Sequence, residues 1–102
     1  MMKEIARALL IHVYHPVSAV VSLDGIGGVM DVFLFDTKFA GARIKVHECA
    51  KEVALITNHP EGSMSLYEED LENIARLKEQ IPFTPLRIWI TGEDIGLREI
   101  TL

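Results

Sequence analysis

Cysteine is nearly missing from this chain of 102 residues: Cys49 stands alone, so no intrachain disulfide can form and the fold needs no oxidising compartment. With no sequence neighbour to complete a catalytic dyad, Cys49 is expected to be a buried structural residue. Cations are also scarce. Ten Lys and Arg against fifteen Asp and Glu give a net charge of −5, which works against neutralising a phosphate backbone and argues against nucleic acid as a partner. Long apolar runs are lacking as well. Stretches such as Ala8 to Val13 and Val17 to Leu23 fall far short of the ~20 residues that span a bilayer, and Met1-Met2-Lys3-Glu4 leads into no signal-peptide cleavage pattern. The expectation is a cytoplasmic protein without a membrane partner. There is no repeat, no low-complexity segment and no Pro/Gly/Ser linker, so residues 1–102 read as one domain. What the chain does have is 49% hydrophobic and 25% charged residues, the composition of a packed globular protein.

Periodicity supplies the elements. Ile5, Leu9 and Val13, with Ala6 and Leu10 beside them, favour a helix over residues 3–14, although Ala8 to Val13 also fits a buried strand. His15-Pro16 ends that segment, because the residue before proline is pushed out of the α region. Ser18 to Leu23 and Val29 to Phe35 read as an antiparallel hairpin around Asp24-Gly25-Ile26-Gly27-Gly28. Residues 37–50 fit both periods, and the favoured assignment is a strand entering a short helix. Val53 to Thr57 is a compact apolar run suited to a central strand, followed by a loop, Asn58 to Ser63. Ser65-Leu66-Tyr67-Glu68 has capping-box spacing, and Leu66, Leu71, Ile74, Ala75, Leu77 and Ile81 mark a helix to about Gln80, stopped by Pro82 and Pro85. Leu86 to Thr91 and Leu97 to Leu102 bracket a terminal hairpin, in which alternation puts Ile88 and Ile90 on one face and Trp89 on the other. If both faces are covered, self-association is the simplest source of the second cover. The fold class is α/β, a single mixed β-sheet packed by helices.

The residues best suited to chemistry follow the central strand. His59 leaves its end in Thr57-Asn58-His59-Pro60, and Asp70 returns from the first turn of the next helix; imidazole and carboxylate arriving from different elements can converge on a divalent metal. Taken by themselves, His59 also fits a loop hydrogen bond, and Asp70 a solvated acid beside Glu68 and Glu69. Order and spacing add a further reading. The chain resembles the JAMM/MPN (JAB) metalloproteases and their RadC-like relatives, whose pattern is a Glu on an early strand, then His-x-His-Pro, then Ser-x-x-Asp. Thr57-Asn58-His59-Pro60 lies on the His-x-His-Pro slot and Tyr67-Glu68-Glu69-Asp70 on Ser-x-x-Asp, while Ser18 to Gly25 lies on the family's Glu-x-x-Gly-x-Leu-x-Gly strand and matches at Leu23 and Gly25. The likeness runs from the first helix to the final hairpin, with a short middle segment. It implies the JAMM/MPN (cytidine-deaminase-like) architecture.

In that family two histidines and the aspartate hold zinc, water is the fourth ligand, and the glutamate is the general base that activates it against an isopeptide or peptide carbonyl. By this comparison His59 and Asp70 are the retained metal ligands. Thr57 stands in the slot of the missing histidine, Ser18 in that of the base, and Tyr67 in that of the serine that positions substrate. The resemblance therefore implies a kept fold with catalysis lost, zinc weak or absent, and a role in protein binding or assembly. The partner would be a ubiquitin-like protein by family analogy, or a second copy of the chain. The alternative is a zinc-dependent isopeptidase or peptidase with an altered ligand set, and a third reading is a small-ligand domain reusing the vacated pocket. His12, His15, His47 or Cys49 could supply a replacement ligand. Each has a plainer reading: His12 as a core or interface residue, His15 as a cation at a helix end, and His47 on a solvated face among Lys45, Glu48 and Lys51. Gly25-Ile26-Gly27-Gly28 lacks the Lys-Ser/Thr of a phosphate loop and is taken as a turn.

Overall fold

A computed structural model describes residues 2–11, 13–38, 43–93 and 95–101, with residues 9–11 described by their backbone. Helix α1 (Met2–Ile11) leads into β1 (Val17–Leu23), β2 (Val29–Asp36) and β3 (Glu52–Asn58); α2 (Glu68–Gln80), β4 (Leu86–Gly92) and β5 (Gly96–Ile100) follow. The five strands form one mixed sheet in the order β2-β1-β3-β4-β5. Three neighbouring pairs are antiparallel, and β3 and β4, joined through α2, are parallel. Parallel neighbours need a crossover, and the thirteen-residue α2 supplies it. The expected α/β class with a mixed, helix-packed sheet is what the chain forms. Among the described residues no helix is long and apolar enough to cross a membrane.

The two faces of the sheet are covered by different helices. Val20, Val53, Leu55 and Ile88 pack with Ile74 and Leu77 of α2. Ala19, Val21, Ala54 and Ile56 pack on the opposite face with Met2 and Ile5 of α1 and with Trp89. Period-2 alternation thus sends successive residues of β1 and β3 into two cores, which is why both read as continuous apolar runs. Ile88 and Ile90 are buried and Trp89 is half-buried beside α1 residues, so both faces of β4 find cover within the chain.

Several boundaries differ from expectation. Helix α1 stops at Ile11, short of Tyr14, which is exposed; His12 lies outside the described residues. The strand and short helix expected within residues 37–50 do not form over 43–50. Ile44 is buried in the α2-face core, its carbonyl accepts Gln80 Nε2 at 2.7 Å, and the His47 N–H donates to Ser22 Oγ at 3.0 Å. Its polar backbone groups are met by side chains instead of a ladder, which relieves the need for regular structure. Phe39 and Ala42, part of the helical pattern there, lie outside the described residues. Cys49, expected to be buried, is exposed in the turn that follows, where it packs into neither core. The terminal hairpin turns through Gly96, at φ +63°, and β5 ends at Ile100; Asp94 and Leu102 lie outside the described residues.

One close approach ties the fold to the site. The His59 N–H donates to the Thr91 carbonyl at 2.8 Å, extending the β3–β4 ladder past the end of β3. A Cβ on Gly92 would lie 2.8 Å from the His59 carbonyl oxygen and 3.0 Å from Ile95 Cγ1. Only glycine lets β4 run this close beneath the histidine. Gly92→Ala should therefore destabilise by roughly 1–3 kcal/mol, the usual cost of overpacking, seen as a lowered urea midpoint with an unchanged slope.

Candidate functional site

Five residues singled out by sequence, Ser18, Thr57, His59, Tyr67 and Asp70, meet at one end of the sheet. Antiparallel pairing of β1 with β3 sets Ser18 directly opposite Thr57. Both side chains share the α2 face of the sheet, because each is two residues from a core position, Val20 and Leu55. Asp70 arrives from above on the first turn of α2. Its Oδ2 accepts the Tyr67 backbone N–H at 2.9 Å, the reciprocal half of a capping arrangement with Tyr67 as N-cap residue. The sequence predicted a box running from Ser65 to Glu68; the cap falls two residues later, with Asp70 in the acidic position.

Asp70 is the hub. Oδ1 accepts the Thr57 hydroxyl at 2.7 Å, and Oδ2 accepts His59 Nε2 at 2.8 Å as well as the Tyr67 N–H. His59 Nδ1 lies 2.8 Å from the Ser63 carbonyl. With a carbonyl on Nδ1 and a carboxyl group on Nε2, both ring nitrogens face oxygen acceptors, an arrangement that favours the imidazolium. Burial alone would push the imidazole down; the Asp70 hydrogen bond, the Ser63 carbonyl and the carboxylate charge outweigh it and hold His59 above its ordinary value. Tyr67 closes the top, its ring stacked on the imidazole at 4.1 Å between centroids. Burial, and then the charges of Glu61, Asp70 and Glu69, push its phenol up.

A chain of hydroxyls feeds the same carboxylate. Ser18 Oγ lies 2.7 Å from Thr37 Oγ1, a pair in which either hydroxyl can donate, and makes a long 3.4 Å contact to Thr57 Oγ1, which donates to Asp70. No imidazole faces a hydroxyl among these residues: the aspartate, not the histidine, accepts the threonine hydrogen bond, the reverse of the order a nucleophilic triad needs. Ser18, Thr57, His59 and Asp70 are each 0% exposed, leaving no path for a substrate carbonyl. The solvated reading of Asp70 is thereby corrected, while the loop hydrogen bond considered for His59 is present.

Among the described residues no replacement ligand accompanies the cluster, and His12 lies outside them. His15 sits beyond α1 with its imidazole 3.6 Å from the Asp36 carboxylate, and His47 accepts the Cys49 N–H on Nδ1 at 3.0 Å. Among the described residues no group of three or more His, Cys, Asp or Glu could hold a metal ion. In this arrangement His59 and Asp70 satisfy one another directly. An apolar groove of about 560 Å³ lies elsewhere, between α1 and β2.

Two members of the cluster were not anticipated, Thr37 and Asn73, both fully buried. Asn73 Nδ2 donates to the Thr37 carbonyl at 3.2 Å, and its Oδ1 has no hydrogen-bond partner among the described residues. A signal existed: Asp70, Asn73, Ile74 and Leu77 form the i, i+3, i+4, i+7 stripe of α2, which places two polar residues on its buried face. No family model, curated protein or solved structure matches the chain.

Two outcomes follow from this geometry. Removing either partner strands a buried charge, so His59→Ala and Asp70→Ala should each cost about 3–5 kcal/mol. The double variant should cost less than their sum by about 1–3 kcal/mol in a urea-denaturation cycle. Because His59 is raised, the pair's contribution is complete below the unfolded value of about 6.5 and is lost as pH rises through the folded value. Urea midpoints should decline over that interval, and the decline should shrink in His59→Gln.

Proposed function

We propose that the chain is a degenerate, non-catalytic domain of JAMM/MPN type that acts as a protein-binding or assembly module. One observation carries the reading: residues up to 52 positions apart, singled out because they fall on that family's zinc and base slots, come together and neutralise one another. Asp70 is held by Thr57, His59 and the Tyr67 N–H, and Ser18 faces Thr57. Coincidence of these slots in space supports the JAMM/MPN architecture. Their chemistry supports loss of the reaction, since a threonine hydroxyl replaces an imidazole ligand and a serine hydroxyl replaces the base.

Zinc would have to break a buried ion pair to gain two protein ligands, half of a tetrahedral shell, so it is bound weakly or not at all. The remaining role for a closed, rigid site is structural, and the molecule's surface does the work of recognition. The partner is a protein, either a ubiquitin-like one, as the family resemblance suggests, or a second copy of this chain.

Zinc titration tests this directly. The dialysed protein should hold well under one zinc per chain, and Thr57→His, which restores the third ligand, should tighten zinc binding by roughly tenfold or more while Ser18→Glu adds little. One tightly held zinc in the native protein would instead favour a working metallopeptidase. A folded Thr57→His variant with unchanged affinity would remove the family alignment at that position.

A further inference from the structure

Three of the chain's ten Lys and Arg, Arg43, Lys45 and Lys51, fall within nine residues that hold a single acid, Glu48, while the chain as a whole carries −5. This strip is locally cationic on an acidic molecule. Among the described residues none of the three cations is in an ion pair, whereas Arg87 on β4 is engaged by both Glu99 and Glu52. The strip forms no helix or strand, yet it is held in place: the Ile44 carbonyl accepts Gln80 Nε2, the His47 N–H donates to Ser22 Oγ, and the His47 carbonyl takes the Ala50 N–H at 3.0 Å.

A pocket of about 250 Å³ opens between this strip and the end of α2, with Arg43, His47, Glu48, Gln80, Ile81 and Thr84 in its lining. That is below the roughly 300–1,000 Å³ of a site for a drug-sized ligand and is enough for one side chain. His47 is half-buried there, and its Nδ1 accepts the Cys49 N–H at 3.0 Å, so the ring carries its proton on Nε2 and keeps a donor. A guanidinium and an imidazole N–H in one pocket suit a carboxylate.

An aromatic anchor stands at the rim. Phe83, between Ile81 and Thr84, is 97% exposed. Its loop is fixed: Pro82 and Pro85 set φ on either side, the Thr84 N–H donates to the Ile81 carbonyl at 3.2 Å, and the Pro85 carbonyl accepts the Val53 N–H at 2.9 Å. Aromatic rings and arginines are the residue types that carry most interface energy, and a backbone fixed beforehand lowers the entropy lost on binding.

We propose that this surface docks an acidic segment of a partner protein, with a carboxylate meeting Arg43 and His47 and a neighbouring apolar side chain covering Phe83. The docking site gives the protein-binding role a location and rests on that reading. Charge decides the class of partner. A nucleic acid presents a phosphate at every nucleotide and calls for a longer run of cations than three on an acidic chain, whereas one or two carboxylates beside an apolar residue match this surface. Glu48 opposes the partner's acid, so its removal should strengthen the contact.

The probe is the peptide Glu-Glu-Leu-Glu-Glu-Leu, blocked at both ends, titrated into the full nitrogen-15-labelled chain and followed by amide shifts. Shifts should concentrate at residues 43–51 and 81–84, and the same peptide with Gln for every Glu should produce none. Arg43→Ala should weaken binding roughly two- to fivefold and Phe83→Ser roughly tenfold, with urea midpoints unchanged, while Glu48→Gln should tighten it roughly two- to fivefold. Absence of shifts at those residues, an equal response to the Gln peptide, or unchanged affinity in Arg43→Ala would overturn the proposal. So would a different occupant: sodium acetate at equal carboxylate concentration moving the same amides as far, oligothymidylate binding more tightly than the peptide, or the same shifts arising from protein concentration alone, which would seat a second copy there. None of these would touch the non-catalytic reading, which stands or falls on zinc.

Discussion

The buried pair of His59 and Asp70 is the contact on which the rest of this end of the molecule depends. Removing two charges from water costs several kcal/mol each, and their attraction offsets this only if every remaining donor and acceptor is met. Here they are met by unrelated parts of the chain: a hydroxyl from β3, a backbone N–H from the start of α2 and a carbonyl from the intervening loop. Asp70 also sits in the first turn of α2, where the unpaired N–H groups and the helix dipole favour an anion. One carboxylate thereby registers a strand end, caps a helix and pins residues 59–67. The ion pair and its direct partners are fully hydrogen-bonded, which makes this part of the cluster rigid.

Legibility in the sequence tracked how local the determining physics was. The runs Ser18–Leu23 and Val53–Thr57 were visible because burial on both faces leaves neither a charged residue, and α2 because its buried stripe repeats at helical spacing. Residues 43–50 misled because Ile44 alternates with Arg43 and Lys45 as a strand residue would, yet it is a lone anchor: its own carbonyl is met by Gln80, 36 residues away, and the His47 N–H by Ser22, 25 residues away. Cys49 misled for a related reason: a small apolar residue in a turn has no core within reach. No local pattern reveals such partners.

The candidate site was legible in its members but not in its wiring. Spacing against the ligand pattern of the JAMM/MPN family that the sequence resembles picked out Ser18, Thr57, His59, Tyr67 and Asp70, and these do meet. That His59 and Asp70 would bond to each other, that Tyr67 would stack on the imidazole, and that Thr37 and Asn73 would complete the cluster depends on the pairing of β1 with β3 and on the angle of α2 over the sheet. At position 57 the threonine hydroxyl donates to Asp70 beside His59. An apolar groove along α1 and β2 lies away from the cluster.

The central claim is that His59 is a buried imidazolium locked on Asp70. The most direct measurement is the nitrogen-15 and proton spectrum of the His59 ring near neutral pH, with and without added zinc. Both ring nitrogens should appear protonated, with slowly exchanging protons and shifts that zinc leaves unmoved. A neutral ring with an unprotonated Nε2 that shifts on adding zinc would contradict the account.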